Sequence, residues 1–143
     1  MAVKQLSIFV ENRKGTLVEI TRALAEANID IRALSLADTT DYGILRLIVN
    51  DPEKAIEKVK ADGFMASVTE VIAILIEDKP GGFSKPVECL TQNDINLEYA
   101  YAFITPKTGA AYVIIRVEDK QTAEKILAEN GVKVLTQAEI CNI

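Results

Sequence analysis

The chain has 143 residues, 49% of them hydrophobic and 6% aromatic, with 16 basic against 21 acidic side chains and no histidine. That composition describes a soluble aliphatic core rather than a disordered or membrane protein, and a net charge of −5 gives no electrostatic reason to grip nucleic acid or an anionic membrane. Without histidine the usual general base and the commonest transition-metal ligand are missing, so no catalytic residue, metal or cofactor is assigned.

The first strand alternates, with Leu6, Ile8 and Val10 on one face and Ser7 and Phe9 on the other. The turn Asn12-Arg13-Lys14-Gly15 follows, and Thr16-Leu17-Val18-Glu19 has the form of a capping box opening a helix, whose apolar positions Leu17, Ile20, Leu24 and Ala27 recur at helical spacing. A second strand (about Asp30 to Ala37) and a third (Tyr42 to Val49) are joined through Asp38-Thr39-Thr40-Asp41 as a hairpin. Asp51-Pro52-Glu53 opens a second helix that Gly63 ends, and a short strand closes the unit.

The same order then returns. Leu6, Ile8 and Val10 are matched by Ile72, Ile74 and Ile76, the turn by Asp78-Lys79-Pro80-Gly81, and the helix face by Phe83, Val87 and Leu90, at an offset of 66 residues. In this second helix Gly82 or Ser84 is the expected cap, with Pro86 confined to the first turn. The strands 96–104 and 112–117 form the second hairpin, through Thr105-Pro106-Lys107-Thr108-Gly109, and a helix opened by Asp119 runs to Asn130 before Gly131. Past that hairpin the offset becomes 68, as Gly63 against Gly131 shows, which a two-residue hairpin insertion explains. A fixed-period repeat sets the architecture: α+β, two tandem ferredoxin-like βαββαβ units with antiparallel sheets and helices on one face, divided as 1–69 and 70–143. Units of this size bury only about 60% of their unfolded surface, so each is expected to lean on the other or on another chain.

The face opposite Leu45, Leu47 and Val49 is not polar. It offers Ile44 and Ile48 with Phe9, Leu34 and Leu36 beside them, and in the second half Leu75, Ala100, Ala102 and Ile114. A sheet open to water alternates apolar with polar, so the second face is also expected to be covered. Scattered surface hydrophobes are the plainer reading. Apolar runs such as Val71 to Ile76 fall far short of the ~20 residues of a membrane-spanning helix. The start, Met1 to Gln5, lacks a signal-peptide core, which makes the cytoplasm the expected location. Cys89 and Cys141 have neither metal spacing nor a disulfide framework, and Cys89 reads as a small core residue.

The two turns place small residues where a helix N-terminus exposes unpaired N–H groups, a setting that attracts carboxylates. Asp30 and Asn96, at the start of the second strand of each half, are expected beside the turn, where they offer acceptors to an ammonium group. Together the turn and the Asx residue would satisfy a zwitterionic α-amino acid. Taken singly, glycine before a helix is ordinary turn chemistry, and Asx residues at strand starts often bond only their own backbone. Co-occurrence in duplicate favours binding.

At these residues, and at Asn28-Ile29-Asp30-Ile31 and Asp94-Ile95-Asn96-Leu97, the chain resembles a tandem pair of ACT domains, small-molecule sensing modules of amino-acid biosynthetic enzymes and of some free-standing regulators. The resemblance implies that ACT units pair, often side by side, and that an amino acid binds at the interface through the first turn and the start of the second strand. By position the ligand-binding candidates are Asn12, Gly15, Thr16, Leu17, Asp30 and Ile31, with Asp78, Gly81, Gly82, Phe83, Asn96 and Leu97 in the second unit. Lys14 stands where the family often has proline and Asp30 where asparagine is frequent.

The function expected is a non-catalytic regulator that binds a small amino acid between ACT units and signals through association, as a homodimer or with an amino-acid biosynthetic enzyme as partner. No catalytic or effector domain is expected to be fused to it, so its output is expected to go through association. The alternative is a regulatory subunit that docks on an enzyme through the apolar sheet face, by Ile44, Ile48 and Ile114, without a ligand. A small enzyme using Arg13 and an Asx side chain to stabilise an oxyanion is disfavoured, because no nucleophile with an adjacent base is identifiable.

Overall fold

The computed structural model describes residues 2–38, 41–104 and 109–143, so the predicted hairpin turns at 38–41 and 105–109 fall largely outside the described residues. It divides into two compact units, Lys4–Thr69 and Glu70–Ile143, the latter joined by the residues before Lys4. The elements run β1 (Val3–Glu11), α1 (Thr16–Glu26), β2 (Ile31–Asp38), β3 (Tyr42–Val49), α2 (Pro52–Ala61) and β4 (Met65–Glu77), then α3 (Ser84–Gln92), β5 (Leu97–Ala102), β6 (Ala110–Val117), α4 (Lys120–Glu129), β7 (Lys133–Leu135) and α5 (Gln137–Cys141). No Gly, Pro, Asn or Asp interrupts β4, so the closing strand of the first unit and the opening strand of the second are one 13-residue element.

In the first sheet β3 lies antiparallel between β1 and β2, with β4 on the far side of β1. In the second, β6 lies between β4 and β5, and β7 flanks the other side of β4. Each is the antiparallel α+β sheet of a ferredoxin-like unit. Helices cover one face, because the alternate apolar residues need cover: Leu6, Ile8, Leu45 and Leu47 pack with Ile20 and Leu24 of α1 and Ala55 and Val59 of α2. The second core repeats this with Ile72, Ile74, Val113 and Ile115 against Leu90 and Leu127. Cys89 is buried within it, and both cysteines are free thiols.

The repeat extends to backbone conformation. Gly15 and Gly81 (φ 97° and 83°), Asn28 and Asp94 (both 58°), and Gly63 and Gly131 (89° and 77°) are left-handed at matching positions. Asn and Asp tolerate that region better than other side chains, which is why they follow α1 and α3. A β-bulge also recurs, between Ile31 and Ala33 and between Leu97 and Tyr99. Ile31 pairs with Val49 and Leu97 with Val117, a separation longer by two residues in the second unit, and the excess persists to Ala102 paired with Val113. The insertion therefore sits at the hairpin end, as the repeat predicts.

The bulge overturns one expectation. Past it, Leu34 and Leu36 pair with Leu47 and Leu45, and Ala100 and Ala102 with Ile115 and Val113. Directly paired residues share a face, so all four lie on the helix side, at the sheet edge, where Leu34 and Leu36 are 46% and 49% exposed. The opposite face carries Phe9, Ala37 and Ile44 toward the hairpin end, while Ala33 and Ile48 farther along it, and Ala73 and Ile114 in the second unit, are fully buried.

Helix caps divide the same way. Asp51 and Asp119 cap α2 and α4 as expected, accepting from the Lys54 and Thr122 N–H groups at 3.1 Å each. The capping box expected at Thr16 does not form: Gly15 is the N-cap, Thr16 lies inside the helix, and no side chain caps it. Neither Gly82 nor Ser84 caps α3, whose N-cap is Phe83, again without a side-chain bond. The capping box that does form, Thr136 with Glu139, opens α5, a helix the sequence reading leaves out.

Thr122 bonds Asp119 twice, by hydroxyl at 2.6 Å and by N–H, and these bonds hold the carboxyl below the usual carboxylate range. A value lowered on folding stabilises fully above the unfolded pKa and is lost as pH falls through the folded one. Asp119→Ala is therefore expected to lower Tm at neutral pH. The difference from the parent should close on acidification, as read by calorimetry across a pH series; a pH-independent difference would contradict the assignment.

Candidate functional site

The site is built at the β1–α1 turn. The Asn12 N–H donates to Asp41 O (3.1 Å) and the Arg13 N–H to Glu11 O (2.8 Å), while the Thr16 N–H reaches Arg13 O only at 3.5 Å. In the second unit the pattern repeats, with Asp78 to Gly109 O (3.3 Å), Lys79 to Glu77 O (3.0 Å) and Gly82 to Lys79 O (2.9 Å). The last bond closes the second turn more tightly, and glycine permits it: a Cβ on Gly82 would stand 2.0 Å from Glu77 O. Thr16 occupies that position in the first unit, and the first turn stays wider.

Charge differs as well. The Arg13 guanidinium pairs with Glu11 (3.0 Å) and Glu19 (3.8 Å). All three side chains are more than half exposed, so each pair contributes at most about 1 kcal/mol. In the second turn Lys79 bonds Glu77, and that bond holds the Glu77 carboxyl below its usual range.

Thr16 is the unusual member. The residue is 4% exposed, and its Oγ1 is buried without a hydrogen-bond partner. A buried unsatisfied hydroxyl costs about 1–3 kcal/mol. Thr16 lines a cleft of about 290 Å³ with Asn12, Arg13, Leu17, Leu36 and Asp38, over an uncapped helix start whose first-turn N–H groups have no intrahelical acceptor. Thr16→Val keeps the shape and deletes the orphan, so stability is expected to stay within about 1 kcal/mol of the parent or to rise, as a urea titration would read.

Asn12, Thr16 and Leu17 therefore share one cleft, with Gly15 beside them as the N-cap. Gly81 and Gly82 line a smaller cleft of about 210 Å³ with Lys79, Lys85, Pro86 and Val132. Asp78 is exposed, and Phe83 is the exposed N-cap of α3. Asp30 and Asn96 are not beside the turn of their own half, nor are Ile31 and Leu97. β1 and β2 both run antiparallel to β3, so β2 starts at the end of the sheet where β1 starts, not where the turn is. The 11 residues of α1 intervene, about 16 Å of helix. At that far end the Asp30 carboxylate pairs with Arg32 at 3.0 Å and its N–H donates to Asn50 at 2.9 Å. Asn96 is exposed, and Leu97 packs on the second core.

Asp38 escapes the sequence reading, which places Leu36 on the opposite sheet face. Leu36 and Asp38 stand at the hairpin end of β2, level with the turn. The phase change from Ile31 to Leu34 and Leu36 is the sequence trace of the bulge that points Leu36 there.

Two tandem ferredoxin-like units with a repeated β1–α1 turn are the architecture of an ACT domain pair. The profile of the ACT domain pair family matches residues 1–143, and the chain belongs to that family. It is 36% identical to protein BT0572 from Bacteroides thetaiotaomicron, with a TM-score of 0.93 over 100% of this chain and 98% of that one. The regulatory subunit of aspartate kinase from Thermus thermophilus superposes with a TM-score of 0.65 at 16% identity, over 89% of this chain and 91% of that one. The aspartokinase alpha and beta subunit structure does so at 0.57 and 16%, over 91% and 96%. Among proteins of curated function no sequence match is found. Among the described residues no helix is long and apolar enough to cross a membrane.

Proposed function

We propose that the chain is a non-catalytic regulatory ACT pair that binds a small amino acid at an interface between ACT units and transmits the change by association. The observation that carries this reading is the β1–α1 turn, where an uncapped helix start and an orphaned Thr16 hydroxyl border one cleft. Helix N–H groups would receive the carboxylate. The residues proposed to bind are Asn12, Gly15, Thr16 and Leu17 with Asp30 and Ile31, and Asp78, Gly81, Gly82 and Phe83 with Asn96 and Leu97. Within one unit α1 separates the turn from the strand start, so an interfacial site takes the turn from one ACT unit and the strand start from another. The partner is proposed to be a second copy or an amino-acid biosynthetic enzyme. In support, a chain of nearly this extent and fold is described as the regulatory subunit of aspartate kinase in Thermus thermophilus.

Thermal unfolding against millimolar amounts of each proteinogenic amino acid tests the reading, since a ligand at 100 times its Kd adds about 2.7 kcal/mol. One or two amino acids are expected to raise Tm. No response to any of them would leave the second reading, docking on an enzyme without a ligand. That reading is favoured by the apolar groove of Phe9, Ala37, Tyr42 and Ile44. Ile48 and Ile114, already fully buried, are not available to a partner.

A further inference from the structure

We infer that the first turn alone receives the ligand, that Asp38 of the same unit takes its ammonium group, and that the ligand is an α-amino acid with a branched aliphatic side chain. This rests on the amino-acid-binding reading and identifies the turn, the acceptor and the ligand class. The helix start by itself attracts any anion; the orphaned Oγ1 of Thr16, on a residue 96% withdrawn from solvent, is the independent sign of a missing polar partner.

The cleft beside Thr16 offers the three surfaces that such a ligand needs. The first-turn N–H groups of α1 donate, Arg13 lines the cleft paired with Glu11 at 3.0 Å, and Asp38 supplies a carboxylate acceptor. Val10, Leu17 and Leu36 make the apolar side. Its volume of about 290 Å³ suits one small amino acid, and among the described residues its one lining cation, Arg13, is already paired with Glu11, so an acidic side chain finds no free one. At the base Gly43 lets the apolar wall close up: a Cβ there would stand 3.0 Å from Val10 Cγ2 and 3.5 Å from Leu36 Cδ1.

The second unit differs at the same places. Position 43 is matched by Ala111, which pairs with Ile76 as Gly43 pairs with Val10, and Leu36 is matched by Ala102. Gly82 has no hydroxyl and lets the turn close by its 2.9 Å bond. The duplication has kept the turn but not the Thr16 hydroxyl or the Leu36 side chain, whose places Gly82 and Ala102 take.

Isothermal titration of the full chain with valine, leucine and isoleucine reads stoichiometry and affinity together. One molecule per chain is expected. Asp38→Asn and Thr16→Val should each weaken binding about tenfold or more, the fold-change that follows from stranding a buried or charged partner, while Glu57→Gln and Glu129→Gln, exposed on α2 and α4, leave it unchanged. All four variants should keep the parent's Tm within a few degrees, which separates lost binding from lost folding. Loss with Asp30→Asn and none with Asp38→Asn overturns this inference and leaves the interfacial reading standing. Two molecules per chain overturns the single-turn assignment, and tighter binding of a charged amino acid overturns the ligand class. No binding of any amino acid overturns the inference and the reading beneath it.

Discussion

Ile74→Ala is expected to lower the free energy of unfolding by about 3 kcal/mol, within the roughly 2–5 kcal/mol range of aliphatic truncations to alanine in packed cores. Ile74 is fully buried on β4, paired with Val113 on one side and Val134 on the other, at the centre of the second core. Removing its three carbons deletes the transfer free energy of the buried groups and leaves a cavity that neighbours on two paired strands cannot collapse to fill. The site has a built-in control. Ile8 holds the same position on β1 in the first unit, fully buried and paired with Leu45, so Ile8→Ala should cost a similar amount. Urea denaturation of both variants reads the pair. A loss below about 1 kcal/mol at Ile74 would mean that the second core repacks freely, against the burial described here. At a typical domain stability of about 5–15 kcal/mol, either variant remains folded but lies much nearer its threshold.

The element order was readable because apolar alternation and Gly or Asx punctuation agree at most boundaries in both units, the unpunctuated β4 and the short α5 apart. Asp51 and Asp119 announced their helices as N-caps, and Gly63 and Gly131 ended them. What escaped was set by single-residue geometry. A bulge shifts the phase of a strand by one residue, so Leu34, Leu36, Ala100 and Ala102 changed faces, although the doublet Ala33-Leu34 already broke the alternation. Thr16 had the spacing of a capping box but was drawn one position into the helix, because left-handed Gly15 took the N-cap place. α5 carried its own box at Thr136 and Glu139 but is too short to show a helical period. For the site, the turn was legible as a glycine before a helix, whereas the placement of Asp30 depended on topology. Because β2 runs the same way as β1, residues at its start stand away from the turn, and those at its end, Leu36 and Asp38, stand beside it.

Gly82→Ala is expected to destabilise the chain by about 2–3 kcal/mol, in the upper part of the range for forced overpacking, and by more than either of its left-handed neighbours in the repeat. The comparison separates two reasons for a glycine. Gly15 and Gly81 have positive φ but open space around the missing Cβ, so alanine there meets only the backbone penalty, about 1–2 kcal/mol each. Gly82 is the reverse case, outside the left-handed region but with Glu77 O 2.0 Å from an added Cβ. The atom in the way is a backbone carbonyl of β4, which cannot swing aside as a side chain would. The turn must open, and the 2.9 Å bond from Gly82 to Lys79 O must stretch toward the 3.5 Å of its counterpart at Thr16. Chemical denaturation of the three alanine variants should therefore rank Gly82 as the costliest. If Gly82→Ala proved as mild as Gly81→Ala, the second turn would not be held closed by the absence of a side chain, and the physical basis for treating the two turns differently would be gone. If the ranking holds, the difference between Thr16 and Gly82 is enough to explain how a duplicated turn came to have two different shapes.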